Sequence, residues 1–211
     1  RVGLTEATAR MTALKYHACV MLTQAQHKLL SETRRGTVMG TLLRQFWIPA
    51  LLSSELPEPG CAPVRVSLLG EKLVGYRDLD GRVSLIAEHC AHRGASLYFG
   101  RVDSGGIRCA YHGWQYAADG QCTDMPNMPR SFAERIRMDA YPCLEAGGMV
   151  WAWMGPPEVQ PSLPPLEYVT LPDAHVMVHA VQHDFLCRFD HRLTAVISRL
   201  RLVRPRATNF P

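Results

Sequence analysis

Between Val64 and Glu88, three short runs rich in β-branched and large apolar residues, VRVSLL, KLVGYRD and VSLIAE, are separated by Gly70-Glu71 and Asp80-Gly81. Runs too short for a helix and bounded by turn residues predict antiparallel strands joined by hairpins. A later run, MVWAWM (149–154), predicts a final strand that stops at Gly155-Pro156-Pro157, and Asp119-Gly120 predicts a further turn. Upstream the pattern is helical. Residues 23–33 predict a helix with Thr23 as N-cap and Leu22, Leu29 and Leu30 available for packing. A second short helix is expected from Met39 to Phe46, Trp47 and Pro49 mark the entry to sheet, and Pro57, Pro59 and Gly60 form a loop before the first strand. The predicted fold class is therefore mainly β: a small antiparallel domain preceded by short helices.

Length and composition set the limits of this picture. The chain has 211 residues, 47% of them hydrophobic, which gives room for one domain plus part of another with a buried core. No run approaches the ~18 apolar residues of a spanning helix, so no membrane partner is expected. Residues 1–20 open on Arg and read as a disordered extension in which His17 and Cys19 carry no ligand role. The stretch from Ala18 to Leu22 is too short for a secretory signal. Seven cysteines without such a signal fit a reducing, cytoplasmic setting, with Cys19, Cys61, Cys122, Cys143 and Cys187 as free thiols. The net charge of +4 is concentrated at one end: from Cys187 onward six arginines face one acid, Asp190. Without an aromatic stacking platform or recognition motif, that tail does not read as nucleic-acid binding.

The candidate chemistry lies in EHCAHRG (88–94) and RCAYHGW (108–114). Cys90 and His92 are separated by one residue, Cys109 and His112 by two, and sixteen residues lie between His92 and Cys109. Two short clusters of this kind can each aim two side chains at one point. Tetrahedral zinc is one reading, but its usual spacings pair Cys with Cys and His with His. A Rieske [2Fe-2S] cluster needs one Cys and one His from each of two loops, because two cysteines hold one iron and two histidines the other. The mixed pairs favour this second arrangement, and Gly94 and Gly113 suit a backbone that turns close to a cluster. Zinc remains the competing reading.

CAHRG and CAYHGW resemble the cluster motifs of Rieske non-haem iron oxygenases, the aromatic ring-hydroxylating and demethylating enzymes, and of their phthalate dioxygenase-like branch in particular. The resemblance extends from about Met21, where such proteins would be expected to start, through GEKLVGYRD, DGRVSLIAEHC, IRCAYHGWQYAADGQC and MVWAWMGPP to about Pro172. It implies that Cys90, His92, Cys109 and His112 are both the cofactor-binding and the metal-ligating residues, holding a Rieske-type [2Fe-2S] cluster. It implies the following organisation: a helical segment over 21–50, a Rieske domain over 51–157, and a linker with the truncated, divergent start of an α+β catalytic domain over 158–211. Respiratory Rieske proteins look like CTHLGC and CPCHGS, with two extra cysteines that form a disulfide. Ala95 and Tyr111 stand at those places here. The expected potential therefore lies towards the low end of the range of roughly −150 to +300 mV. Trp114 and Tyr111 are expected to wall the cluster from water, and Arg93 to face the exposed edge.

In the resembled family a mononuclear Fe(II) sits in a second domain, held by two His and one carboxylate. After His183 this sequence departs from that pattern. Asp184, Asp190 and His191 lack the family's spacing, and His175, His179 and His183 are expected on or near a strand rather than at an iron. The arginine-rich end suggests a truncated or frame-shifted product. No catalytic residue is assigned, so enzyme status rests on the resemblance to an oxidoreductase. The resemblance implies electron transfer from an NADH-dependent flavin and iron–sulfur reductase towards an O2-activating iron, and a homo-oligomer, a trimer. The competing functional readings are a stand-alone Rieske-type ferredoxin and a zinc-stabilised interaction module.

Overall fold

The computed structural model describes residues 22–166. His17, Cys19, Cys187, the three histidines from His175 to His183 and the arginine-rich end lie outside them.

Helix α1 (Gln24–Ser31) begins with a reciprocal capping box: Thr23 Oγ1 accepts the Gln26 N–H at 3.2 Å, and Gln26 Oε1 accepts the Thr23 N–H at 2.9 Å. Contrary to expectation, Leu22, Leu29 and Leu30 are exposed, and Ser31 is the buried position of the helix. Two turns of helix are held at their C-terminal end by the polar 31–35 loop, which leaves the apolar side facing outward. Helix α2 (Val38–Leu43) is capped by Thr37 and stops three residues short of Phe46, because Gln45 and Phe46 close tighter turns onto Leu42 and Leu43.

Eleven strands make three antiparallel sheets among the described residues. The first has β1 (Trp47–Leu52) and β10 (Cys143–Ala146) flanking β11 (Met149–Trp153). The second runs β2 (Val64–Leu68), β3 (Glu71–Arg77), β4 (Val83–Ala87), β9 (Ala140–Tyr141), and the third β5 (Arg101–Asp103), β6 (Gly106–Arg108), β7 (Gln115–Tyr116), β8 (Cys122–Asp124). The sequence pattern marked Trp47 and Pro49 only as an entry to sheet. They lie inside β1, which crosses the boundary expected between residues 50 and 51. Pro49 is tolerated because β1 is an edge strand whose register shifts between Pro49 and Leu51.

The β2–β3 turn is also one residue earlier than expected. Leu68 pairs with Glu71, so the turn is Leu69-Gly70, both left-handed at φ +46° and +76°. Glu71 is in the ladder instead, and its carboxylate is the hub that fastens the N-terminal segment. Arg35 Nε donates to its Oε1 at 2.9 Å and Arg44 Nη2 at 2.6 Å, while Tyr141 donates to Oε2. Arg44, itself buried, also donates to the carbonyls of Thr33 and Gly40. Removing Glu71 would leave the mostly buried Arg44 guanidinium without its carboxylate partner, and an unpaired buried charge costs about 3–5 kcal/mol.

The central strands β3 and β4 are buried on both faces, which is why they read as nearly continuous apolar runs, whereas β2 alternates and exposes Arg65 and Ser67. Leu68, Leu73 and Leu85 join Leu56 and Val150 in one core, whereas Val74, Tyr76 and Ile86 join Leu97, Ile107 and Tyr116 in a second. Cys90 and Cys109 belong to this second core, between the second and third sheets. On the outer face of the first sheet, Trp47, Trp151 and Trp153 are covered by Leu163 and Leu166, and Trp47 Nε1 donates to Pro161 O at 2.9 Å. The described part of the proline-rich stretch, 161–166, is therefore anchored. Among the described residues no helix is long and apolar enough to cross a membrane.

Candidate metal centre

The two Cys-His loops share one backbone frame. In the first, which follows β4, Cys90 N–H donates to Ala95 O at 2.9 Å and Gly94 N–H returns to Cys90 O at 2.9 Å. In the second, between β6 and β7, Cys109 N–H donates to Trp114 O at 2.8 Å and Gly113 N–H to Cys109 O at 3.0 Å. Each loop turns at a glycine in the left-handed region, Gly94 at φ +69° and Gly113 at +75°, which a side chain would strain.

This frame brings the four expected residues together and sorts them by depth. Cys90 and Cys109 are each 3% exposed, whereas His92 is half-buried and His112 exposed. The imidazoles meet edge to face with centroids 4.5 Å apart. Sulfurs thus occupy the inner end and ring nitrogens the outer end. Among the described residues no three His, Cys, Asp or Glu side chains group around a single metal ion. An inner cysteine pair and an outer imidazole pair are the arrangement in which one of two adjacent metal atoms takes both sulfurs and the other both ring nitrogens.

The surroundings fit such a group. Burial pushes the Cys90 thiol up and Cys109 adds to this, while the Tyr116 hydroxyl and the His92 N–H oppose it. A bound cation would supply the positive charge that a buried thiolate needs. Tyr116 OH lies 3.1 Å from Cys90 Sγ. Burial, His112 and Arg93 all push the His92 imidazole below its ordinary value, in the direction of the neutral form that ligates metals. His92 Nδ1 is buried and has no hydrogen-bond partner.

Flanking residues divide between expectation and correction. Trp114 stacks on His92, centroids 4.5 Å apart and planes 7° from parallel, and so walls one side. Tyr111 does not: it is 61% exposed and leans over His112 from outside, because its loop position projects away from the sulfur end. Arg93 is exposed on the histidine side.

Three supports were not read from the sequence. Tyr116 is one; its aromatic side chain in WQY had no distinguishing signal beyond strand propensity. Glu88 is the second: its buried carboxylate accepts from Ser96 Oγ at 2.6 Å and Arg65 Nε at 2.8 Å, bridging both ends of the first loop. Arg108 is the third and crosses behind the second loop, donating to Gly113 O at 2.7 Å. Adjacency to a Cys or His motif was the available signal for both charged residues.

Residues 46–143 match the model of the Rieske [2Fe-2S] domain family. The chain is 49% identical over 150 residues to the 3-chlorobenzoate-3,4-dioxygenase oxygenase subunit of Comamonas testosteroni, covering 70% of this chain and 34% of that one. It is 37% identical over 179 residues to the phthalate 4,5-dioxygenase oxygenase subunit of Pseudomonas putida, covering 84% and 40%. Apo dicamba monooxygenase shares its structure over 63% of this chain and 41% of that one, with a TM-score of 0.56 and 28% identity. The chain thus spans between a third and two-fifths of these curated relatives.

Proposed function

The chain carries a Rieske [2Fe-2S] domain of the type found in aromatic ring-hydroxylating oxygenase α subunits, and from that premise we propose that Cys90 and Cys109 hold the inner iron of the cluster and His92 and His112 the outer one. The observation that carries this assignment is the buried, unpartnered Nδ1 of His92 beside a sulfur pair. A buried ring nitrogen without a partner is costly, and a metal bond completes it.

When bound, the cluster supplies one-electron transfer at a potential governed by its ligands, hydrogen bonds and exposure. The rest is the work of this chain's own side chains. The second core excludes water from the two sulfurs. With Cys90 bound as a thiolate, the Tyr116 hydroxyl 3.1 Å away would be the donor, and a hydrogen bond to that sulfur favours the more negative, reduced state. Trp114 keeps the His92 ring in one orientation. The exposed His112 edge is the port through which an electron enters or leaves.

The biochemical role is electron delivery within an oxygenase. Electrons come from an NADH-dependent flavin and iron–sulfur reductase and pass towards a mononuclear iron that activates O2 beside an aromatic substrate. Names such as phthalate 4,5-dioxygenase oxygenase subunit support the oxygenase setting. A homo-oligomer in which the port of one subunit meets the iron of the next fits an exposed histidine edge. Stopped-flow mixing of the reduced reductase with the oxidised protein tests the role. Bleaching of visible absorbance in the unmodified chain, lost in His112→Ala, is expected; equal bleaching in both would contradict it.

A further inference from the structure

We infer that Arg108 is the positioning residue of the second loop, acting through Gly113 and Trp114 on the orientation of the His92 ring; this rests on the cluster reading above. Arg108 ends β6 and directly precedes Cys109, yet its side chain turns back across the third sheet. Nη1 donates to Gly113 O at 2.7 Å and Asp124 Oδ2 at 2.7 Å, Nη2 to Gln115 Oε1 at 2.6 Å, and Nε to Asp103 Oδ2 at 3.2 Å. One guanidinium thereby ties the ends of β5, β7 and β8 to the loop between β6 and β7. Its side chain is 21% exposed, so these bonds are partly shielded from water.

The bond to Gly113 gives this arrangement its consequence. Gly113 O belongs to the peptide that joins Gly113 to Trp114, one residue beyond His112. The next peptide, Trp114–Gln115, is fixed as well, because Trp114 O accepts the Cys109 N–H. With both carbonyls held, the Trp114 indole has little freedom, and it lies flat on His92 from the other loop. The chain of contact from Asp103 and Asp124 through Arg108, Gly113 and Trp114 ends on His92, so a residue of the second loop sets a ligand of the first. The four bonds leave in the directions of a planar fork. A lysine ammonium keeps the charge but cannot reach all four acceptors.

The test is Arg108→Lys in the full chain, read by iron and sulfide content, the electron paramagnetic resonance spectrum of the reduced state, and loss of visible absorbance in a chelator. Outer contacts of metal ligands typically alter metal retention by 10–100-fold. Arg108→Lys is expected to assemble the cluster, to lose it about tenfold faster, and to show shifted or broadened g values per cluster. Trp114→Phe should do the same, and the double variant should be little worse than either alone, because both act on one contact. Should Arg108→Lys fail to fold, Asp124→Asn removes one anchor of the fork and should shift the spectrum in the same direction by less. Unchanged g values and lifetime in the foldable variant, or independent effects of Arg108 and Trp114, would overturn the inference. An unmodified protein without iron would overturn the cluster reading as well, which separates the two failures.

Discussion

The Trp114 indole and the His92 imidazole lie 7° from parallel with centroids 4.5 Å apart, although they come from different loops. Such contacts contribute roughly 0.5–1.5 kcal/mol beyond the area they bury. Trp114→Ala should therefore speed loss of the cluster in air several-fold, followed as bleaching of visible absorbance. Tyr111→Ala, at an exposed ring, should change it far less.

Tyr116→Phe removes a single hydroxyl from Cys90 Sγ and leaves the buried ring in place. A hydrogen bond to sulfur favours the reduced cluster, so the variant should have a lower midpoint potential. Each ~1.4 kcal/mol of differential stabilisation corresponds to about 59 mV for a one-electron couple. A redox titration that finds the potential unchanged or higher would count against this bond.

Gly106 supports the same tyrosine from below. A Cβ on it would stand 2.0 Å from Tyr116 O, and its φ of +135° is closed to other residues. Gly106→Ala should displace β7, lowering stability by more than about 2 kcal/mol in chemical denaturation and weakening cluster retention with it.

Acid sensitivity should arise at Glu71. Burial tends to raise its carboxyl, but hydrogen bonds from Tyr141, Arg35 and Arg44 outweigh this and hold it below the ordinary carboxylate value. The stability it contributes is complete above that ordinary value and disappears as pH falls through the lower folded one. Denaturation midpoints measured between neutral pH and pH 3 should fall towards acid. Glu71→Gln should be less stable at neutral pH and show a flatter profile.

Much of this architecture was legible in the chain. Thr23 announced its helix start, and VRVSLL, KLVGYRD and VSLIAE their strands, because capping and apolar runs are local signals. β1 was not read as a strand because Pro49 argues against one, and only pairing with β11 at a sheet edge makes it acceptable. Leu29 and Leu30 looked like core from their apolar character, yet the direction a helix faces is decided by its anchors, here the Arg35 and Arg44 contacts to Glu71. At the candidate metal centre, the spacing singled out Cys90, His92, Cys109 and His112, whose two loops the fold sets side by side. An outer, exposed histidine edge followed from the resemblance; the Glu88 and Arg108 braces were not legible, since these depend on tertiary packing of separate strands.

The most direct test is the low-temperature electron paramagnetic resonance spectrum of the dithionite-reduced protein purified without air, with iron, sulfide and zinc assayed on the same sample. A rhombic signal of low average g with about two irons and two sulfides per chain is predicted, lost in His92→Ala and kept in His27→Ala. Stoichiometric zinc with no signal would contradict the account.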